Sequence, residues 1–135
     1  MENKRHYLFE IEQHKNGNEC LCVVNSQREI PFEIKRIFYE YGMEPESIRG
    51  AHANKKSRFC MIAVAGSCDV AVDDGNIKQT YRLDCPNIVL YLDQMVWKTM
   101  TNFSKDCVLL VVSDSYYDSE EYIKDYEDYC LISKD

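Results

Sequence analysis

The chain lacks any apolar run approaching the roughly 20 residues that a membrane span needs. Its longest are Val108 to Val112 and the polar-ended Asn87 to Leu92. No apolar stretch follows the N-terminal Met-Glu-Asn-Lys-Arg, so no signal peptide is expected, and the implied compartment is the cytoplasm. A basic surplus is also missing. The net charge of −7 leaves no general footprint for nucleic acid. Histidine is scarce: His6, His14 and His52 are too few for a histidine-rich metal site, and neither metal nor cofactor is expected. The seven cysteines are odd in number and include no Cys-x-x-Cys pair. Cys20 and Cys22 are spaced for one face of a strand rather than for zinc, and reduced, buried thiols are the expected state. Repeats, low-complexity tracts and linkers are absent too, so residues 1–135 read as one domain.

What the chain does contain is short strands separated by turns. Glu19 to Asn25, Phe32 to Tyr41, Cys60 to Ala65, Cys68 to Val72, Ile77 to Leu83, Ile88 to Leu92, Val96 to Met100 and Val108 to Ser113 all read as strands. Asp73-Asp74-Gly75-Asn76 is a hairpin turn, because Gly and Asn tolerate positive φ. Strands at about ten-residue spacing indicate a sandwich or barrel. No helical pattern separates them, which excludes a doubly wound α/β fold. One helix is expected, from about Ser119 through Tyr129, with Asp118 or Ser119 as its N-cap. Tyr122, Ile123, Tyr126 and Tyr129 recur at helical spacing and should pack on the barrel. The acidic residues from Asp114 to Asp128 read as a solvated face.

The segment Ile48 to Arg58 is dense in polar groups yet runs into the apolar strand at Cys60. Period two puts Gly50, His52, Asn54, Lys56 and Arg58 on one face. Flanked by two alanines, His52 has room to face a cavity. A surface strand carrying one incidental histidine fits the same residues.

Six motifs in order carry a family resemblance. They are Ile30-Pro31-Phe32-Glu33-Ile34-Lys35-Arg36-Ile37-Phe38-Tyr39; Arg49-Gly50-Ala51-His52-Ala53-Asn54-Lys55-Lys56; Asp73-Asp74-Gly75; Leu83-Asp84-Cys85-Pro86 with Leu90-Tyr91; Val96-Trp97-Lys98-Thr99-Met100; and Ser113 to Asp118 with Tyr122 to Tyr126. Over roughly Asn25 to Tyr129 the chain resembles the cupin-type sugar-nucleotide 3,4-ketoisomerases. The resemblance implies an all-β fold, a small cupin or jelly-roll barrel with a short C-terminal helix, and a homodimer. It also implies a dTDP-linked 4-keto-6-deoxy sugar as substrate, without a metal, in making 3-amino-3,6-dideoxyhexoses for bacterial surface glycans. It places His52, Lys98 and Tyr39 in catalysis, and Arg36, Arg49, Asn54, Lys55, Arg58, Tyr91 and Trp97 around the substrate. Asn54 stands where the family has a second histidine, Lys98 where it has a third, and Phe38 where it has a tyrosine. The early Arg-Gly-x-Leu motif has no counterpart.

The implied reaction asks for a base titrating near neutrality, a donor for a developing oxyanion, and cations for a diphosphate. Histidine suits the first and arginine the last. Two alternatives remain at this stage: a catalytically altered or inactive cupin that binds a nucleotide sugar, and a non-enzymatic partner or sensor domain.

Overall fold

The computed structural model describes residues 4–133. Twelve strands are formed among them: β1 (His6–Glu10), β2 (Gln13–Asn16), β3 (Glu19–Cys22), β4 (Arg36–Glu40), β5 (Arg49–Asn54), β6 (Phe59–Ala65), β7 (Cys68–Asp73), β8 (Lys78–Leu83), β9 (Ile88–Leu92), β10 (Trp97–Thr101), β11 (Val108–Ser113) and β12 (Tyr122–Ile123). One helix, α1 (Tyr126–Ser133), closes the chain. The first sheet runs β1-β9-β6-β11-β4, the second runs β12-β5-β10-β7-β8, and β2 pairs with β3 as a separate hairpin. All ladders between these strands are antiparallel. The all-β reading with a short C-terminal helix therefore describes the molecule.

Alternation decides what fills the space between the sheets. Phe59, Met61 and Ala63 of β6, Leu109 and Val111 of β11, and Val70 and Val72 of β7 form one buried cluster with Leu90, Leu92 and Met100. The opposite face of the first sheet carries Cys60, Ile62, Val89, Tyr91 and Val112, covered by Ile11, Ile30 and Phe32. The β7–β8 hairpin closes as its residues require. Asp74 Oδ1 accepts the N–H groups of Asn76 (2.8 Å) and Ile77 (2.7 Å), and Gly75 takes φ +91°.

The strands expected from Glu19 and Phe32 are shorter than their apolar patterns. β3 stops at Cys22, and β4 begins only at Arg36. Strand β1 was not anticipated, since its inward residue is the polar His6, paired with Tyr81 and Asp74. The C-terminal expectation needs a larger correction. Ser119–Glu121 is one 3₁₀ turn, with Asp118 accepting the Glu120 N–H. Tyr122 and Ile123 then extend and pair with Asn54 and Ala53. The open edge of β5 offers N–H and C=O groups that a helix would leave unused. The helix starts only after Asp125, whose Oδ1 accepts the N–H groups of Glu127 (2.8 Å) and Asp128 (3.1 Å) as an N-cap. No helix among the described residues is long and apolar enough to cross a membrane.

Candidate active site

Strand β5 brings the polar segment against β10, but with a break in its alternation. Lys98 lies opposite His52 and Thr99 opposite Gly50, so Ala51 is an extra residue in the ladder. Gly50 and Ala51 both take positive φ, +77° and +59°. A side chain at Gly50 would press on the Lys98 carbonyl oxygen at 3.0 Å. Glycine is required there, and the bulge turns the strand at the point where His52 leaves it.

His52 and Lys98 both line a cavity of about 300 Å³ with Phe38, Glu40, Phe59, Met61 and Tyr122. The Lys98 side chain is buried, at 3% exposure. Its Nζ donates to Asn54 Oδ1 at 2.7 Å and sits 4.4 Å from the centre of the Phe59 ring. Burial brings the Lys98 amine down to about 7; Glu121 opposes that effect, and the Arg36 charge adds to it. Burial, followed by the Lys98 charge, pushes the His52 imidazole down to about 4. The ring is tilted against Tyr122, 4.7 Å between centres. At neutral pH the cavity thus holds a neutral imidazole opposite an amine whose ionised form burial disfavours.

Arg36 stands at the start of β4, its guanidinium 5.4 Å from the Phe38 ring and 5.8 Å from those of Phe59 and Tyr117. Its buried Nε and Nη2 have no hydrogen-bond partner among the described residues. Arg49 is more exposed and is ion-paired with Glu40. His52, Lys98, Asn54, Arg36 and Arg49 are therefore brought together.

Other residues expected at the site stand apart from His52 and Lys98, each for a physical reason. Tyr39 alternates outward on β4, reaches only the cavity rim, and stacks on Tyr41. Trp97 alternates away from Lys98 and packs on Tyr126 and Tyr129. Tyr91 belongs to the outer face of the first sheet and stacks on Tyr7 at 5.0 Å. Arg58 is paired with Asp114 at 2.8 Å, over the Phe32 ring. Lys55 is exposed beside Lys124 in a separate shallow depression. The one-face expectation for Lys56 and Arg58 fails because β5 ends at Asn54 and the chain then turns a corner.

That corner holds a residue the motifs did not single out. Glu121 is buried, and its carboxylate accepts the N–H groups of Lys56 and Ser57, both at 3.0 Å, and the Ser57 hydroxyl. In sequence it is one of many acids in a segment that reads as solvent-facing. Only its place before β12 turns it inward.

A divalent cation suits this donor set poorly. His52 would be joined by an amide and faced by an amine that must first lose its proton.

Comparison with known proteins converges on one group. The profile of the family described as "FdtA: WxcM-like, C-terminal" matches residues 3–134. The TDP-4-oxo-6-deoxy-alpha-D-glucose-3,4-oxoisomerase of Aneurinibacillus thermoaerophilus is 38% identical over 129 residues, covering 96% of this chain and 91% of the relative. The solved structure of WlaRA, a TDP-fucose-3,4-ketoisomerase from Campylobacter jejuni, is 44% identical with a TM-score of 0.90, covering 96% of each chain. A mutant of the 3,4-ketoisomerase QdtA from Thermoanaerobacterium thermosaccharolyticum, in complex with TDP-4-keto-6-deoxyglucose, is 28% identical with a TM-score of 0.94, covering 98% of this chain and 96% of that one.

Proposed function

Since this chain belongs to the FdtA family of WxcM-like C-terminal domains, we infer that it is an isomerase, a sugar-nucleotide 3,4-ketoisomerase acting on dTDP-4-keto-6-deoxyglucose. Residues 1–135 then form one cupin domain. The observation that carries the chemistry is the facing of His52 and Lys98 on one cavity wall.

The C3 proton of the substrate lies α to the C4 ketone and is acidified by it. Burial brings His52 down to about 4, a weaker base than the near-neutral one the reaction asks for; it is neutral at working pH and takes that proton. The electron pair moves into a C3–C4 double bond and the charge onto O4. The Lys98 ammonium stabilises this oxyanion in a site walled by Phe59 and Met61. Transfer of the O3 proton to O4 and return of a proton to C4 give the 3-ketone. No atom is gained or lost, and no redox partner is needed. Arg36 meets the diphosphate, while Arg49 stays paired with Glu40. Tyr39 remains a rim residue in this scheme, while Arg58, Tyr91 and Trp97 hold the fold.

The same proposal includes a cytoplasmic enzyme of surface-glycan synthesis and a homodimer. Supporting the dimer, the β2–β3 hairpin leaves His14, Lys15, Cys20 and Leu21 exposed. A lone two-stranded hairpin is marginally stable in water, so a second copy is a fitting cover.

The test is incubation with dTDP-4-keto-6-deoxyglucose and product analysis, in H₂O and D₂O. Wild-type protein should form the 3-keto sugar and place solvent deuterium at C4. His52→Asn should lower turnover by roughly 10²–10⁴-fold with dTDP binding nearly intact. Binding without turnover or C3 exchange in the wild type would favour the inactive nucleotide-sugar cupin instead.

A further inference from the structure

Glu121 takes no part in the steps above, yet its side chain is buried, at 4% exposure. Its main-chain carbonyl accepts the Lys55 N–H at 3.0 Å. With the three bonds to its carboxylate, it straps the chain at the corner directly after Asn54. Asn54, at 1% exposure, turns its oxygen to Lys98. Its Nδ2 has no hydrogen-bond partner among the described residues, so Glu121 and Asn54 are joined through the main chain, by the Lys55 N–H and by the pairing of Asn54 with Tyr122.

Around Lys98 stand His52 and Arg49 on β5, Arg36 and Glu40 on β4, Tyr122 on β12, Lys124 beyond it, and Glu121. Glu40 is committed to Arg49. Glu121 is the carboxylate whose charge bears on Lys98. We propose that Glu121 is a positioning residue: by strapping the corner directly after Asn54 it sets where the Asn54 oxygen meets the Lys98 amine, and it supplies the buried negative charge that the ammonium form requires. This rests on Lys98 acting as the oxyanion-stabilising group, and the test separates the two ideas.

Lysine-labelled protein is titrated by NMR, with Lys98→Met identifying the Lys98 signal, and kcat/KM is followed against pH. Glu121→Gln is nearly isosteric. Both backbone donors reach Oε1, which the amide keeps, and the new NH₂ can donate to the Ser57 hydroxyl. The variant therefore removes charge more than structure. The Lys98 midpoint should fall by roughly one pH unit, and the alkaline limb of kcat/KM should fall with it. Ser57→Ala breaks one strap and keeps the charge, so the midpoint should stay in place. An unmoved midpoint in Glu121→Gln, or an equal shift in Ser57→Ala, overturns the proposal. If Glu121→Gln does not fold, Glu121→Asp keeps the charge but withdraws the carboxylate by one methylene from the strap and from Lys98. Its midpoint should fall by a smaller amount, and an unmoved one overturns the proposal. Full turnover in Lys98→Met would instead sink the role given to Lys98, while the midpoints still decide that of Glu121.

Discussion

Arg36 carries a positive charge into the barrel wall, among Phe38, Phe59 and Tyr117, with two nitrogens left unpaired by the described residues. Arg36 is half-buried, and its two buried, unpaired nitrogens are hydrogen-bond donors that an anion would satisfy. Arg49 differs, being exposed and already matched by Glu40. The two arginines should therefore separate in calorimetry with dTDP. Arg36→Ala should weaken binding about ten- to a hundredfold, the roughly 1.5–3 kcal/mol of a charge-assisted contact. Arg49→Ala should change it by less than about threefold, because Glu40 must be displaced for Arg49 to act. Equal losses would mean that the Glu40 pair opens on binding. From sequence, Arg49 beside Gly50 is the arginine expected at the diphosphate, with Lys55 or Arg58 assisting; Arg36 overtakes it because Glu40, nine residues from Arg49, already holds that side chain. His52, Asn54 and Lys98 were legible because each sits in a motif. Glu121 was not, because its partners Lys56 and Ser57 lie more than 60 residues away.

At the scale of elements, strands that alternate and end in a strong turn were readable, as β7 and β8 are around Asp74-Gly75. Elements defined by a distant edge were not. Tyr122, Ile123, Tyr126 and Tyr129 fit helical spacing, but the first two are claimed by β5, and only the last two belong to α1. The anchor of this segment is Tyr129, wholly buried, whose single hydroxyl hydrogen is shared between the carbonyls of Asp73 (2.7 Å) and Met95 (2.8 Å). Met95 in turn hydrogen-bonds through its N–H to the Asn54 carbonyl, at 2.7 Å. Tyr129→Phe should cost about 1–3 kcal/mol, from the two carbonyls left unpaired. Tyr129→Ala should cost about 3–5 kcal/mol, the range for removing a buried aromatic side chain. Denaturant midpoints at constant slope measure both. A Tyr129→Ala midpoint equal to wild type would show that α1 contributes nothing to the barrel.

For the whole molecule, the same groups that serve the chemistry tilt stability toward alkaline pH. His52 is lowered from 6.5 to about 4, so between those values the unfolded chain binds more protons and stability rises with pH. Lys98, lowered from 10.5 to about 7, does the same across that higher window. Asp74, Asp114 and Glu121 are held below their usual range, chiefly by backbone and side-chain hydrogen bonds that outweigh burial. Their stabilisation is lost as pH falls through those lowered values, which points the same way. Lys98 is therefore retained against the fold's own preference at neutral pH. Its depressed ionisation corresponds to a penalty on the order of 4 kcal/mol at pH 7. Lys98→Met would remove that penalty and leave the Asn54 oxygen without its donor, a loss of about 1–3 kcal/mol. The variant should thus lose turnover while gaining roughly 1–3 kcal/mol at pH 7, seen as a higher Tm. The gain must shrink as pH rises, because the unfolded lysine also loses its proton. Above about pH 10.5 only the unpaired Asn54 oxygen remains, and the variant should melt at or below wild type. Melting both proteins at pH 7, 8.5 and 10.5 tests this. A Tm difference that stays constant across the series would mean that burial does not bring the Lys98 amine down toward neutrality and that it stays an ammonium at pH 7.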